Sequence, residues 1–330
     1  MDMTAGDQLD ALKLKVDAFA SKSFIDAGKV NINETVIGSA INNHDRSAPI
    51  GLFDSGVGGL SVYLHLAQQL PAERYVYYAD TLHVPYGNRE SRDIEVLTLS
   101  AVEWLYQQGC KLIVIACNSA SAYALEAARR CYPQVIIVGL VPALKPAVLA
   151  SKTGRVAVLA TKATLNGSLL DEVINSIATP NGTAVVKYFD PQLVPWVEAG
   201  MPEADETALR LRQQLRSFAD DGIDQLVLGC THYPFFKTFL LDEIAQQQLP
   251  IQIVDSGQAI AERVKQLLTL NQLSASLDSK VDENHLDIYN KTKVGNILPL
   301  TFYATKYDDR LTVLVERLLG EDTILHYYSK

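Results

Sequence analysis

Residues 226–235 read LVLGCTHYPF, an apolar run that ends in glycine and hands a cysteine, Cys230, to Thr231 and His232. A second stretch, LIVIACNSAS at 112–121, delivers Cys117 into Asn118 and Ser119 in the same way. Short apolar runs closed by turn residues read as strands buried on both faces, the kind that parallel sheets contain. Working outward, further runs of this type recur: PIGLFD, RYVYYAD, KLIVIAC, QVIIVGL, RVAVLAT, AVVKYFD, QLVLGC and IQIVDSG make eight strand candidates. Most are separated by helix-length segments such as VYLHLAQQL, RDIEVLTLSAVEWLYQQG, SAYALEAARRC and ETALRLRQQLRSFADDG. Strands alternating with helices predict an α/β fold whose parallel sheets are covered on both faces.

The order also repeats. One strand opens into DSGVGG at Asp54, and 63 residues later another opens into Cys117; one opens into TKATLNG at Thr161, and 69 residues later another opens into Cys230. The repeat predicts two pseudo-symmetric parallel-sheet α/β domains facing each other across a cleft. Ligands in such sheets lie outside the carboxyl ends of the strands, where all these polar residues fall. The expected division is an N-terminal extension over 1–48, a first domain built from 49–141 together with 255–330, and a second from 142–254. GLVPALKPA, with Pro142 and Pro146, reads as one crossover, and VDSG at 254–257 as the return. Residues 271–300 are polar and aperiodic and read as a long loop.

Composition narrows the function classes. The chain has 330 residues, 48% hydrophobic and 20% charged, which is ordinary for a soluble globular protein. Its net charge of −9, with no cluster of Lys and Arg, argues against nucleic acid as a main partner, because phosphate contacts need such clusters. The start, MDMTAGDQLD, lacks the basic and apolar segments of a secretory signal, and no run is long enough to span a membrane, so a cytoplasmic protein with no membrane association is expected. Four cysteines, at 110, 117, 131 and 230, are spaced neither as a disulfide scaffold nor as a zinc site; free thiols and no metal are expected.

Individual motifs are weaker than the set. DSGVGGLSV at 54–62 fits neither the dinucleotide fingerprint nor the P-loop; it reads as a tight strand-to-helix turn that leaves Asp54 and Ser55 at the cleft with helix amides available to an anion. YADTLHVPYGNRES at 78–91 carries Tyr86 and Gly87 after a proline that stiffens the loop, and its His83 reads as a packing residue and not a metal ligand. Cys110 and Cys131 flank helix ends and read as small buried hydrophobes. Cys117 and Cys230 differ, because each stands among hydrogen-bonding residues able to stabilise a thiolate. His232 follows Cys230 by two residues; in an extended chain both side chains share a face, and the imidazole can take and return a proton.

Taken in order and spacing, DSGVGGLSV, PYGNRES, CNSAS and GCTHYP resemble the cofactor-independent aspartate/glutamate racemase family, and within it the glutamate racemases, over about residues 49–258. The resemblance implies exchange of the α-proton of glutamate between two thiols, matching Cys117 and Cys230, without metal or organic cofactor, and supply of D-glutamate for peptidoglycan. By the same resemblance, Cys230 takes the proton from L-glutamate and Cys117 from D-glutamate. Asp54 matches the carboxylate beside the first cysteine and His232 the imidazole beside the second. Ser55, Tyr86, Gly87, Asn118, Ser119 and Thr231 resemble the residues that hold the substrate's amino and carboxylate groups, and Thr161 and Glu198 are further matches. The extension and the polar stretch exceed the compact family core. Some glutamate racemases of this general type, with an N-terminal extension, respond to a peptidoglycan precursor, UDP-N-acetylmuramoyl-alanine, which the resemblance makes a candidate effector, and the chain is expected to be a monomer or homodimer.

Other readings stand beside this one. Aspartate or a hydantoin could replace glutamate as substrate. A cysteine hydrolase using Cys230 and His232 would leave the matched setting of Cys117 unexplained. A two-lobed amino-acid binding module would bind without turnover. A pyridoxal-dependent racemase would need a Schiff-base lysine, for which Lys162 in TKATL is the candidate.

Overall fold

The computed structural model describes residues 45–275, 300–319 and 325–329. Every strand candidate forms: β1 Ile50–Asp54, β2 Tyr75–Ala79, β3 Leu112–Ile115, β4 Ile136–Gly139, β5 Arg155–Ala160, β6 Ala184–Tyr188, β7 Gln225–Gly229 and β8 Gln252–Asp255. Two more, β9 Leu300–Ala304 and β10 Leu325–Ser329, were not among the candidates. All pairings are parallel, in one sheet of order β10-β9-β2-β1-β3-β4 and a second of order β6-β5-β7-β8. Without β9 and β10 the two orders coincide, each strand of the second sheet standing where the strand four earlier stands in the first. The repeat read from sequence is thus a repeat of topology, and Asp54 with Cys117 corresponds to Thr161 with Cys230.

The cysteine-delivering strands are apolar on both faces for a visible reason. In β3, Leu112 and Val114 enter a core shared with Leu60 and Tyr77, while Ile113 and Ile115 enter a second core with Val102 and Leu105 on the opposite face. In β7, Leu226 and Leu228 face one core and Val227 another. Helices cover both sides, so alternation of polar and apolar residues would bury polar groups without partners. After β8, the helix Gly257–Leu270 places Ile260, Ala261, Val264 and Leu268 in the same core as Leu60, Tyr63 and Leu66 of the helix Leu60–Gln69, which belongs to the first sheet.

Residues 1–44 of the extension and 276–299 of the polar stretch lie outside the described residues. Beyond them the chain is regular: β9 pairs with β2 from Leu300 opposite Tyr75, buries Leu300, Phe302 and Ala304 in strict alternation, and is followed by the helix Asp309–Leu319. No described helix is long and apolar enough to cross a membrane.

Candidate active site

Cys117 lies two residues past the end of β3. With φ −137° and ψ 120° it is extended, and it caps the helix Asn118–Cys131 by accepting from the Ala120 N–H through Sγ at 3.4 Å. The sulfur therefore sits at the positive end of a 14-residue helix. Its thiol points to Ser55 Oγ at 3.6 Å. Burial, and then the nearby charge of Asp54, push this thiol up to about 12, against the opposing pull of the Ala120 N–H and the Ser55 hydroxyl. In the resting site Cys117 is a neutral thiol that holds its proton.

Cys230 follows β7 in the second sheet. The chain does not remain extended there: His232 has φ −74° and ψ −28° and leads into a tight turn over Tyr233–Phe236. The shared face expected of an extended segment is replaced by a turn that brings His232 Nδ1 back to 3.9 Å from Cys230 Sγ. On its far side the ring meets Glu198, Nε2 lying 3.2 Å from Oε1. Burial alone would push the imidazole down, but hydrogen bonds to Cys230 and Glu198 outweigh it and raise His232 to about 10. At neutral pH it is an imidazolium.

The glycine turn after β1 exists to receive this second turn. A Cβ on Gly58 would meet His232 Nδ1 at 2.4 Å and Thr231 Oγ1 at 2.6 Å, so any side chain there must push these groups aside. Two bonds tie the elements together: Ser61 Oγ donates to the Thr231 carbonyl at 2.8 Å, and Thr231 Oγ1 donates to Asp54 Oδ1 at 3.3 Å. Gly58→Ala is expected to displace His232 and lower turnover about 10-fold, since small errors in placing reacting groups are costly. Steady-state rates of a variant shown by circular dichroism to be folded check this; an unchanged rate would mean that the turn gives way harmlessly.

A cavity of about 160 Å³ opens between the two sheets, and Cys117 and Cys230 both line it. Ser55, Tyr86, Gly87, Asn118 and Ser119 line it from one side; Thr161, Glu198, Thr231 and His232 line it from the other. Asp54 stands behind the wall, fully buried, its Oδ2 accepting from the Gly56 N–H at 2.9 Å and its carboxyl pushed up by burial. Tyr86 lines the cavity, but its hydroxyl is given to Asp80 Oδ2 at 2.6 Å, so it offers its ring and the backbone of its turn. Thr161 Oγ1 and Ser119 Oγ lie 2.9 Å apart and join the two sides. Asn118 Oδ1 is a buried acceptor with no hydrogen-bond partner among the described residues. Among those residues no lysine or arginine lines the cavity. Phe189 and Val194 form an apolar wall that no motif announced. Lys162, the Schiff-base candidate, is exposed and does not line the cavity. All four cysteines are free thiols.

Residues 50–264 match the family model for Asp/Glu/Hydantoin racemases. A glutamate racemase from Deinococcus radiodurans is 46% identical over 242 residues, which is 73% of this chain and 82% of that protein. The crystal structure of glutamate racemase from Francisella tularensis in complex with D-glutamate aligns with a TM-score of 0.68 at 26% identity, covering 86% of this chain and 98% of that one. That of the Escherichia coli enzyme, in complex with L-glutamate and the activator UDP-MurNAc-ala, aligns with a TM-score of 0.66 at 29% identity over the same shares. The matched span holds β1 to β8, both strand-delivered cysteines and the glycine turn after β1, and the chain belongs to the Asp/Glu/Hydantoin racemase family.

Proposed function

We propose that this chain is a glutamate racemase, an isomerase that interconverts L- and D-glutamate by passing the α-proton between Cys117 and Cys230. The observation that carries the reading is the placement of two thiols, delivered by corresponding strands of a repeated unit, in one small cavity. Racemisation removes a proton from one face of the α-carbon and delivers another to the opposite face. A base and an acid of matched strength on opposite sides serve both directions, each alternating role with the other. From L-glutamate, Cys230 takes the proton beside the His232 imidazolium, and the neutral Cys117 thiol gives its own. From D-glutamate the roles reverse.

The cavity suits a zwitterionic acid. Without a lysine or arginine in its wall among the described residues, it meets carboxylates with hydroxyls of Ser55, Ser119 and Thr161 and with the N-terminus of the helix Asn118–Cys131, the Thr231 hydroxyl being given to Asp54. Asn118 Oδ1, buried and unpartnered, is an acceptor for an ammonium group. Such fixed donors stabilise the charge that develops at the α-carbon and its carboxylate. The two sheets are taken as the two catalytic domains, 49–141 with 255–330 and 142–254, and the D-glutamate formed as a supply for peptidoglycan.

Circular dichroism of the purified protein with each enantiomer of glutamate and of aspartate tests the assignment. Both glutamate enantiomers are expected to racemise, with aspartate at least ~100-fold slower because one methylene misplaces a buried charged contact. Equal turnover of aspartate would remove the substrate assignment and leave the chemistry standing. Adding UDP-N-acetylmuramoyl-alanine to the same assay tests the effector: an acceleration would assign it, and an unchanged rate would remove it.

A further inference from the structure

We infer that Asp80 is a positioning residue for the Tyr86–Gly87 turn, and that through it the strand β9 becomes part of the substrate-holding apparatus. The inference rests on the racemase reading of the cleft. Asp80 directly follows β2, is 3% exposed, and donates its own N–H to the Asp54 carbonyl at 3.0 Å. Its carboxylate gathers three side chains. Tyr86 donates to Oδ2 at 2.6 Å, Thr305 Oγ1 to Oδ1 at 2.8 Å, and His83 Nδ1 lies 2.8 Å from Oδ1 and 3.0 Å from Oδ2. A carboxylate this buried is costly unless fully hydrogen-bonded, and these groups supply what water would.

The geometry runs from β9 to the cavity without a gap. Thr305 follows β9, donates its N–H to the Ala79 carbonyl at 3.0 Å, and accepts from the Leu82 N–H at 2.9 Å. Arg89 Nε closes the loop onto the His83 carbonyl at 2.6 Å. From the opposite side Thr161 fixes the same turn, since a Cβ on Gly87 would meet Thr161 Cβ at 2.9 Å and Cγ2 at 3.1 Å. Tyr86 and Gly87 are thus held between Asp80 in one half and Thr161 in the other, and a displacement of the Asp80 cluster becomes a displacement of the cavity wall.

Thr305 does not line the cavity, which makes it the clean probe. Thr305→Val keeps the shape and removes the hydroxyl. It is expected to raise KM for glutamate about 5-fold, the order of one lost buried hydrogen bond, with kcat within about 2-fold. Thr305→Ser should restore KM, and Tyr86→Phe should raise it about as much by freeing the turn from Asp80. In an Asp80→Asn background, Thr305→Val should add little, because the two act as one unit. A Thr305→Val enzyme with wild-type KM and a lowered melting temperature would overturn the inference, leaving Thr305 as a strand anchor. Should the wild type fail to racemise glutamate, the functional reading falls by itself and the Gly87 amide resonance decides: a shift in Thr305→Val supports the linkage, and an unmoved resonance overturns it.

Discussion

Replacing either Cys117 or Cys230 with alanine is expected to cut racemisation by about 10³-fold or more, within the range that a positioned acid or base contributes. Each sulfur is the sole thiol on its side of the cavity wall, and with Cys117 5% and Cys230 7% exposed, little bulk water reaches either to act in its place. Cys110 and Cys131 provide the contrast. Cys110 is buried against Gly51, where a Cβ would lie 2.9 Å from its sulfur, so Cys110→Ala should be active and less stable by ~1 to 2 kcal/mol. Cys131 is half-buried, and its alanine variant should be active too. In D2O the wild type should place solvent deuterium at the α-carbon of newly formed product. A Cys117→Ala or Cys230→Ala enzyme racemising at near wild-type rate would end the two-thiol mechanism, whatever the family resemblance.

The parts of this site that were legible in the sequence are those with local causes. LIVIACNSAS and LVLGCTHYPF announce strands because burial on both faces forbids polar alternation, and the cysteines follow the strand ends because ligands lie there. The repeat was legible for the same reason: two units of one topology leave the same spacing of punctuation. What stayed hidden depends on distant partners. The cluster around Asp80 is completed by Thr305, 225 residues away, across a polar stretch that masks the approach of β9. His232 does stand beside Cys230, but through a turn and not an extended chain, and that turn packs against Gly58 of DSGVGG, a distant partner. Asp54 and Tyr86 line up by motif as wall residues of equal standing; the fold turns the Asp54 carboxylate inward and commits the Tyr86 hydroxyl elsewhere.

The last expectation concerns His232, whose charge is set by that hidden geometry. His232→Asn keeps a polar side chain of similar reach but cannot carry the positive charge that faces Cys230, and turnover should fall by about 10²-fold. The enantiomers are equally stable, so kcat/KM must stay equal in the two directions; the asymmetry of the site has to be read in kcat. The direction in which Cys230 takes the proton should suffer more, because the thiol on the other side is tuned by Asp54 and Ser55 instead. Glu198→Gln, which weakens the support of the imidazolium from behind, should act in the same sense and less strongly. The pH dependence follows from the same shift. An imidazole raised from 6.5 to about 10 on folding means that the native state binds the extra proton between those values. Its contribution to stability is complete below 6.5 and is lost as pH rises through about 10; His232→Asn should lack that component of the alkaline decline. Proton NMR of the ligand-free protein should find the His232 ring still charged at pH 8. A ring that titrates near its ordinary value, or small equal losses of kcat in both directions, would reduce His232 to a packing residue.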